Sequence, residues 1–334
     1  MKLHNLQILR GISAFLVCCF HFREDVNFAG LKAGEILFKS GSIGVPIFFV
    51  ISGFIMSYTT QNLFTNDKST SSEITQFFKR RIIRIVPLYY LLTFLWIIVS
   101  GSLVLYITDK ALLSRLVYSL LFLPQQNVPP VLFLGWSLNF EVFFYFVFGI
   151  SIIFKQYRTF FIISFFATFY TLGHFFSFPN ALWMMVTSVL NLYFVMGILI
   201  FLILNKFTFT RKKATLLSTF GIALFLLFYF RIITISNELL LVGIVSGLVF
   251  AFLLLDYVLR IKGNKYLIFL GDISYSLYLS HPFIEVFFRR FKPDGYFTIP
   301  FFIIKLFCAI FLASFLYFLF EKKLTHFLKV KLKA

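Results

Sequence analysis

Long apolar stretches divide this chain more strongly than any other feature of its sequence. A helix needs about 20 apolar residues to cross a bilayer core about 30 Å thick. Ten stretches approach that length, and we predict a membrane-spanning helix for each: 6–22, 43–59, 84–106, 134–154, 160–178, 182–204, 215–231, 238–259, 269–289 and 298–320. A further apolar segment, 112–123, is short and precedes a proline-rich loop, so we predict an interfacial or re-entrant helix there.

Composition excludes a soluble protein. Hydrophobic residues make up 60% of the chain and charged residues 13%. A soluble fold needs more polar residues than this to cover its surface. Since no stretch has the composition of a soluble domain, we predict that residues 1–334 form one all-α, polytopic integral-membrane domain.

The distribution of Lys and Arg predicts how the chain is oriented. The net charge of +18 comes from short loops between the apolar stretches. If the N-terminus is cytoplasmic, segments inside the cell hold about twice as many Lys and Arg residues as segments outside, as the positive-inside rule requires. We therefore predict ten spans with both termini cytoplasmic. The same distribution accounts for the net charge without a nucleic-acid partner.

Two ionisable residues, Arg10 and His21, interrupt the first apolar stretch. Eleven helical steps of about 100° bring them to one face, about 16 Å apart along the axis. Ionisable groups inside a membrane are costly and by default indicate a functional site. The alternative is a structural role, in which the histidine only bonds to a neighbouring helix.

The predicted topology converts residue number into depth. It places Glu141 and Glu285 at about the depth of His21, towards the outer face, and Arg10 near the inner face. His281 lies one turn before Glu285 on the same helix face. Structural roles remain open for each of these residues. For Lys305, in the last span, we expect a side chain that extends to the outer interface.

A basic cluster precedes the third span on the predicted cytoplasmic side: Lys79, Arg80, Arg81 and Arg84. Arg81 and Arg84 are three residues apart and share a helix face. Arginine forks suit phosphate groups, so the cluster predicts an anionic cytoplasmic cofactor. The alternative is a positive-inside anchor that binds no ligand.

Small residues mark two further stretches. Gly41 and Gly44 begin a segment that ends at Gly53, and small residues let helices approach closely. Ser52, in the same segment, is a candidate for lining a cavity. Gly243 and Gly247 have the spacing of a helix-packing face.

Taken together, these stretches resemble the membrane-bound acyltransferase 3 family over nearly the whole chain. The resemblance rests on five motifs in order: R-x10-H at Arg10 and His21, G-x-x-G-V-x-x-F-F-x-I-S-G at Gly41 to Gly53, R-x-x-R at Arg81 and Arg84, W-S-L-x-x-E at Trp136 to Glu141, and Y-S-L-Y-L-x-H at Tyr275 to His281. Asn139 stands where many members of the family have Ser.

The resemblance implies an O-acyltransferase of the bacterial cytoplasmic (inner) membrane. Members take acetyl or another acyl group from cytoplasmic acyl-coenzyme A and modify glycans on the far side of the membrane. We therefore expect acetyl-coenzyme A as donor, membrane lipid as surroundings, and a lipid-linked or surface polysaccharide such as lipopolysaccharide O-antigen as acceptor. No metal is expected.

The predicted roles follow from chemistry and depth. His21 is the candidate general base, or the carrier of a transient acyl group, with Glu141 orienting it. Arg10 holds the coenzyme or a neighbouring helix, and the basic cluster grips the phosphates. Ser52, His281 and Glu285 are the candidate substrate-binding residues. The alternatives are a transporter or flippase that uses the buried charges as its pathway, and a structural subunit of a polysaccharide assembly complex.

Overall fold

The prediction of an all-α protein is confirmed. The structure, a computed structural model, describes residues 2–27, 30–61, 63, 69–291 and 297–332. Helices account for 83% of the described residues, which contain no strand, and Gln125 and Val128 form an isolated bridge. In these residues the α-helices are α1 His4–Phe22, α2 Ala33–Phe38, α3 Gly44–Thr59, α4 Thr70–Val99, α5 Leu103–Thr108, α6 Lys110–Leu120, α7 Gly135–Ser151, α8 Arg158–Phe175, α9 Ala181–Val186, α10 Leu190–Lys206, α11 Arg211–Tyr229, α12 Glu238–Leu254, α13 Lys265–Asp272, α14 Ser274–Phe288, α15 Thr298–Leu316 and α16 Lys323–Lys331.

Eight helical stretches among the described residues are long and apolar enough to cross a membrane. One of them, Gly135–Phe175, contains two predicted spans, which are separated at Lys155 by a non-helical backbone with φ 49° and ψ −115°. The predicted span 269–289 is not among the eight, because the helix breaks at Ile273 between α13 and α14. The count of ten spans and the cytoplasmic placement of both termini stay predictions.

The predicted bounds of the third span, 84–106, are wrong. Helix α4 begins at Thr70, where the Ser69 hydroxyl accepts a hydrogen bond from the Ser72 amide, and it ends at Val99. The apolar stretch marked only the hydrophobic part of a longer helix, because polar residues extend it by several turns at the N-terminal end. The segment predicted at 112–123 overlaps α6, whose 11 residues, Lys110–Leu120, are too few to cross a bilayer core. Its length favours the interfacial or re-entrant interpretation.

The chain divides into two compact units. Unit 1 consists of Met1–Ile55 with Met196–Phe318, and unit 2 of Met56–Val195 with Leu319–Ala334. The expectation of a single membrane domain stays a prediction.

Unit 1 is built on the close contact of α1 with α13. A Cβ atom at Gly271 would lie 2.1 Å from the Gln7 carbonyl oxygen, and one at Gly11 would lie 2.6 Å from the Gly271 amide nitrogen. These distances leave room only for hydrogen, so both glycines are required for the two backbones to meet. The contact holds α1 along its N-terminal half.

The glycines of the second motif also pack against α1. Cβ atoms at Gly41 and Gly44 would lie 2.4 Å from the backbone oxygens of Leu16 and Ser13, so the predicted close approach is confirmed there. The predicted packing face is not seen at Gly243, because a Cβ atom there would meet no described atom within 4 Å, but the Gly247 carbonyl oxygen would lie 2.8 Å from a Cβ atom at Gly221 on α11.

The N-terminus of α1 is completed by a residue from the far end of the chain. Asp256, in the π-helical turn Leu255–Leu259 after α12, accepts hydrogen bonds from the backbone amides of Asn5 and Leu6 at 2.9 and 3.0 Å. It also accepts one from the Asn5 side chain at 2.9 Å. The first amides of a helix lack partners within the helix, and a carboxylate there also suits the helix dipole. Asp256 therefore fixes where α1 begins.

Unit 2 has an aromatic core. The rings of Phe144 and Phe194 stack with centroids 4.3 Å apart, and those of Phe77 and Phe148 stack at 5.4 Å. Stacked and edge-on ring pairs stabilise a core beyond the area they bury. The first pair joins α7 to α10, and the second joins α4 to α7 one turn before Arg81 and two turns after Glu141.

Candidate active site

Two histidines lie side by side in unit 1. His21, in the last turn of α1, is half-buried, and His281, on α14, is fully buried. Their ring centroids are 5.1 Å apart and the rings are inclined at 34°. Helices α1 and α14 thus bring the histidine of the first motif next to the histidine of the last, which residue number alone did not reveal.

The hydrogen bond of His281 fixes its tautomer. Its Nδ1 atom lies 3.2 Å from the Leu277 carbonyl oxygen, which can only accept, so the ring proton is on Nδ1. The Nε2 atom then carries a lone pair, and it has no hydrogen-bond partner among the described residues although it is buried. A buried acceptor without a donor is costly and suits a group that arrives with a substrate.

A buried ion cluster lies next to this histidine pair. Lys305 is 1% exposed and pairs with the carboxylates of Asp25 and Glu285. Its ammonium also lies 4.3 Å from the centroid of the Phe22 ring, whose edge meets His281. The expectation that Lys305 extends to the outer interface is therefore wrong, because two carboxylates hold it inside the protein.

The same cluster changes the interpretation of Glu285. We predicted that Glu285 binds substrate. In the structure its carboxylate forms an ion pair with Lys305, and its side chain is 37% exposed. Its role in binding substrate stays a prediction.

Arg10 takes part in a polar chain between α1 and α13. Its Nη1 atom donates to the Gln7 side chain at 3.0 Å, and the Gln7 amide donates to Asp272 at 2.8 Å. Of the two roles predicted for Arg10, the link to a neighbouring helix runs through Gln7, which lies one turn earlier on α1 and bonds to Asp272 of α13. The other, contact with the coenzyme, stays a prediction.

Glu141 and Arg81 meet in unit 2. The Tyr145 hydroxyl donates to the Glu141 carboxylate, the Arg81 guanidinium lies 5.7 Å from the centroid of the Tyr145 ring, and the charges of Arg81 and Glu141 interact. We had expected Arg81 at the cytoplasmic end of its helix and Glu141 near the outer face. That separation is corrected, because α4 begins at Thr70 and carries Arg81 three turns into the helix.

The environment of Arg81 combines aromatic rings with an unused donor. Its guanidinium also lies 5.7 Å from the Phe77 ring centroid, and one terminal nitrogen donates to the Thr59 hydroxyl at 3.4 Å. Its Nε atom is buried without a hydrogen-bond partner among the described residues. Such a group can receive an anionic oxygen without first giving up a strong protein contact.

The rest of the basic cluster is more open. Arg80 is exposed, Arg84 is half-buried, and Lys79 donates to the Leu332 carbonyl oxygen at 3.2 Å. The cofactor-binding role of these residues stays a prediction.

The predicted site residues divide between the two units. Unit 1 holds Arg10, His21, Ser52, His281 and Glu285, with Ser52 half-buried on α3. Unit 2 holds Glu141 and the basic cluster. The joint action of His21 and Glu141 stays a prediction. Within the described part of the chain, no group of three His, Cys, Asp or Glu side chains is arranged to hold a metal ion.

Sequence reasoning missed Asp25 and Tyr145. Asp25 follows the first span at a point where charged residues are ordinary, and its partner Lys305 is 280 residues away. Tyr145 lies one turn after Glu141 on α7, and this four-residue spacing was the signal that could have identified it.

Comparison with known proteins agrees with this arrangement. The family model described as an acyltransferase domain matches residues 3–318. The chain is 32% identical over 267 residues to the exopolysaccharide production protein ExoZ of Rhizobium meliloti, which covers 74% of this chain and 77% of that protein. It is 30% identical over 161 residues to the acyltransferase MdmB of Streptomyces mycarofaciens, covering 44% of this chain and 38% of that protein.

No solved structure matches the chain. The family model nevertheless extends over all five motifs and nearly every helix of the fold. The protein therefore belongs to the acyltransferase 3 family and is a multi-pass membrane acyltransferase.

Proposed function

We propose that the protein transfers an acetyl or other short acyl group from cytoplasmic acyl-coenzyme A to a hydroxyl of a bacterial surface polysaccharide. The observation that carries the proposal is the histidine pair of His21 and His281 within a chain of this family. The printed name of the ExoZ relative, an exopolysaccharide production protein, supports a polysaccharide acceptor. Exopolysaccharide and lipopolysaccharide O-antigen are the candidate acceptors, and the bacterial inner membrane is the proposed location.

His21 acts as the general base in this proposal. It takes the proton of the acceptor hydroxyl as that oxygen attacks the thioester carbonyl carbon. The bond between carbon and sulfur breaks, an ester forms, and the proton leaves with the coenzyme thiolate. His281, whose Nε2 lone pair faces no donor among the described residues, accepts a hydrogen bond from an incoming hydroxyl. An acyl-histidine intermediate at His21 is the variant mechanism.

The proposed donor contacts come from the basic cluster of unit 2. Arg81 and Arg84, with Arg80 and Lys79, bind the phosphates of the coenzyme, and the free Nε donor of Arg81 supports this role. Glu141 holds Arg81 in place, a function additional to the orientation of His21 that we predict for it. Arg10 supports the donor side of α1.

The transporter alternative is less well supported. It predicts charged residues spread along a pathway, whereas Lys305, Asp25 and Glu285 are gathered in one ion cluster. Membership of an acyltransferase family gives it no support either.

The test measures acyl groups released by alkali from surface polysaccharide in a deletion strain that carries each variant at matched membrane abundance. We expect His21→Ala to lower the acyl content at least a hundredfold, because a general base contributes about 10²–10⁴ in rate. His174→Ala is the matched control, since this histidine on α8 is exposed, belongs to unit 2 and lies with its ring centroid 5.9 Å from that of Tyr170. Acyl content in His21→Ala equal to that of the wild type would refute the role of His21.

A further inference from the structure

A small cavity lies in unit 2, where α6, α7 and the loop between them meet. It has a volume of about 140 Å³, and its walls include Arg115, Tyr118, Gln125, Trp136 and Asn139. Since one water-sized sphere fills about 10–15 Å³ on this measure, the cavity holds roughly ten of them, which suits a single monosaccharide ring better than an oligosaccharide. The predicted topology places it at the outer end of α7, the side on which a surface glycan would be met.

Two amide side chains in the cavity wall lack partners. The Oδ1 atom of Asn139 and the Oε1 atom of Gln125 are buried and accept no hydrogen bond from any described residue. Asn139 as a whole is 3% exposed. Each such acceptor costs free energy until a donor arrives, so the cavity favours an occupant that carries hydrogen-bond donors.

The cavity also has an aromatic wall and a cation. Trp136 is 37% exposed, which leaves part of its indole ring open to the surface. Arg115 uses two of its five N–H donors, on the carbonyl oxygens of Pro129 and Pro130 at 2.8 and 3.0 Å. Apolar ring faces and amide groups that both donate and accept match the two sides of a sugar, whose C–H face is apolar and whose hydroxyls donate and accept.

The loop that shapes the cavity is held rigidly. Phe122, at φ 55°, adopts a backbone conformation that is rare for a bulky residue, and its ring packs on Tyr89 with centroids 4.9 Å apart. The Ser119 hydroxyl accepts a hydrogen bond from the Val131 amide at 2.9 Å. Backbone strain that is maintained by such contacts is typical of preorganised binding sites.

We infer that this cavity is a subsite for one pyranose ring of the glycan acceptor. Trp136 packs against the ring, and Asn139 and Gln125 bond to its hydroxyls. The inference rests on the proposed function in that it names where part of the acceptor binds. It adds a binding site distinct from Ser52, His281 and Glu285.

The test uses the full-length protein with Trp136 as its single tryptophan, made by Trp96→Phe and Trp183→Phe, since the chain contains three tryptophans. The probe is surface polysaccharide from the same bacterium, deacylated with alkali and cut to short oligosaccharides. We expect a saturable change in Trp136 fluorescence as the probe is added. Adding Asn139→Leu, which keeps the side-chain size, should weaken the apparent Kd about tenfold.

The matched control keeps Trp183 and carries Trp96→Phe with Trp136→Phe, and its fluorescence should not respond to the probe. If Trp136 does not respond while the wild-type protein acylates polysaccharide normally, the cavity holds only water and the subsite is refuted although the proposed function stands. If Trp136 responds but no variant or wild-type protein transfers acyl groups, the subsite stands and the proposed function fails.

Discussion

Lys305 illustrates the cost of placing ions inside a membrane protein. A buried cation is tolerated only when carboxylates compensate for its lost hydration, and Asp25 and Glu285 do so here. The net result for stability is small while the cluster is intact. Removal of Lys305 leaves two carboxylates without their cation, and that of Asp25 is almost completely shielded from water.

We therefore predict that Lys305→Met lowers the free energy of unfolding by about 3–5 kcal/mol, the range for breaking one partner out of a buried ion pair. Thermal unfolding of the purified variant and wild-type proteins in detergent measures this loss of stability. Lys39→Met, which affects a half-exposed lysine 3.8 Å from Glu35, should change stability little. The double variant Lys305→Met/Asp25→Asn should recover part of the loss, and equal stability of Lys305→Met and wild type would contradict the prediction.

Among single residues, the sequence identified ionisable residues that are unusual because apolar residues surround them. Arg10, His21, Glu141 and His281 were found because each interrupts an apolar stretch. Asp25 and Asp256 were missed because acidic residues at the ends of spans are common, and their partners are more than 200 residues away in the chain. Partners at such distances are set by packing, which periodicity does not encode.

Helix contacts in unit 1 depend on where glycine is placed and not merely on its presence. Gly271 and Gly11 let α13 lie directly on the backbone of α1, whereas Gly243 faces no described atom within 4 Å. The spacing of small residues predicted a packing face at Gly243 and Gly247 but gave no such prediction for Gly11 and Gly271. Only the structure distinguishes them, because the spacing does not say which helix is opposite.

This difference yields a paired prediction. We expect Gly271→Ala to destabilise unit 1 by about 1–3 kcal/mol, since the new methyl group would collide with the Gln7 carbonyl group. Gly243→Ala should leave stability unchanged or raise it by up to about 1 kcal/mol, because alanine favours a helix over glycine. The melting temperatures of the two variants, compared with that of the wild type, test this prediction. An equal fall in melting temperature for both variants would show that the contact of α1 with α13 does not account for the loss of stability.

Element types were predictable, and element ends were less so. Apolar stretches located the spans because the bilayer requires length and hydrophobicity. They did not locate the start of α4 or the break at Ile273, since caps and short-range packing decide where a helix begins and ends.

At the scale of the whole molecule, the orientation of the chain is the main open prediction. The excess of Lys and Arg on one side favours cytoplasmic termini. This orientation sets the side from which donor and acceptor reach each unit.

We predict that a cysteine introduced by Lys110→Cys is labelled from outside intact cells by a membrane-impermeant maleimide. One introduced by Lys212→Cys should react only after the membrane is opened, since both positions are exposed but lie on opposite predicted sides. The background for both carries Cys18→Ala, Cys19→Ala and Cys308→Ala. Labelling of Lys212→Cys in intact cells would show that the chain is oriented opposite to the prediction.

The capping of α1 by Asp256 has a consequence for biogenesis. Asn5 and Asp256 are 251 residues apart, so at about 5–20 residues per second the first helix waits roughly 10–50 s for the carboxylate that completes it. The helix that carries His21 thus leaves the ribosome first but reaches its final position only when most of the chain has been made. Assembly of the histidine pair and completion of synthesis are thereby coupled, and a chain that stops before residue 256 contains the helix without the group that fixes it.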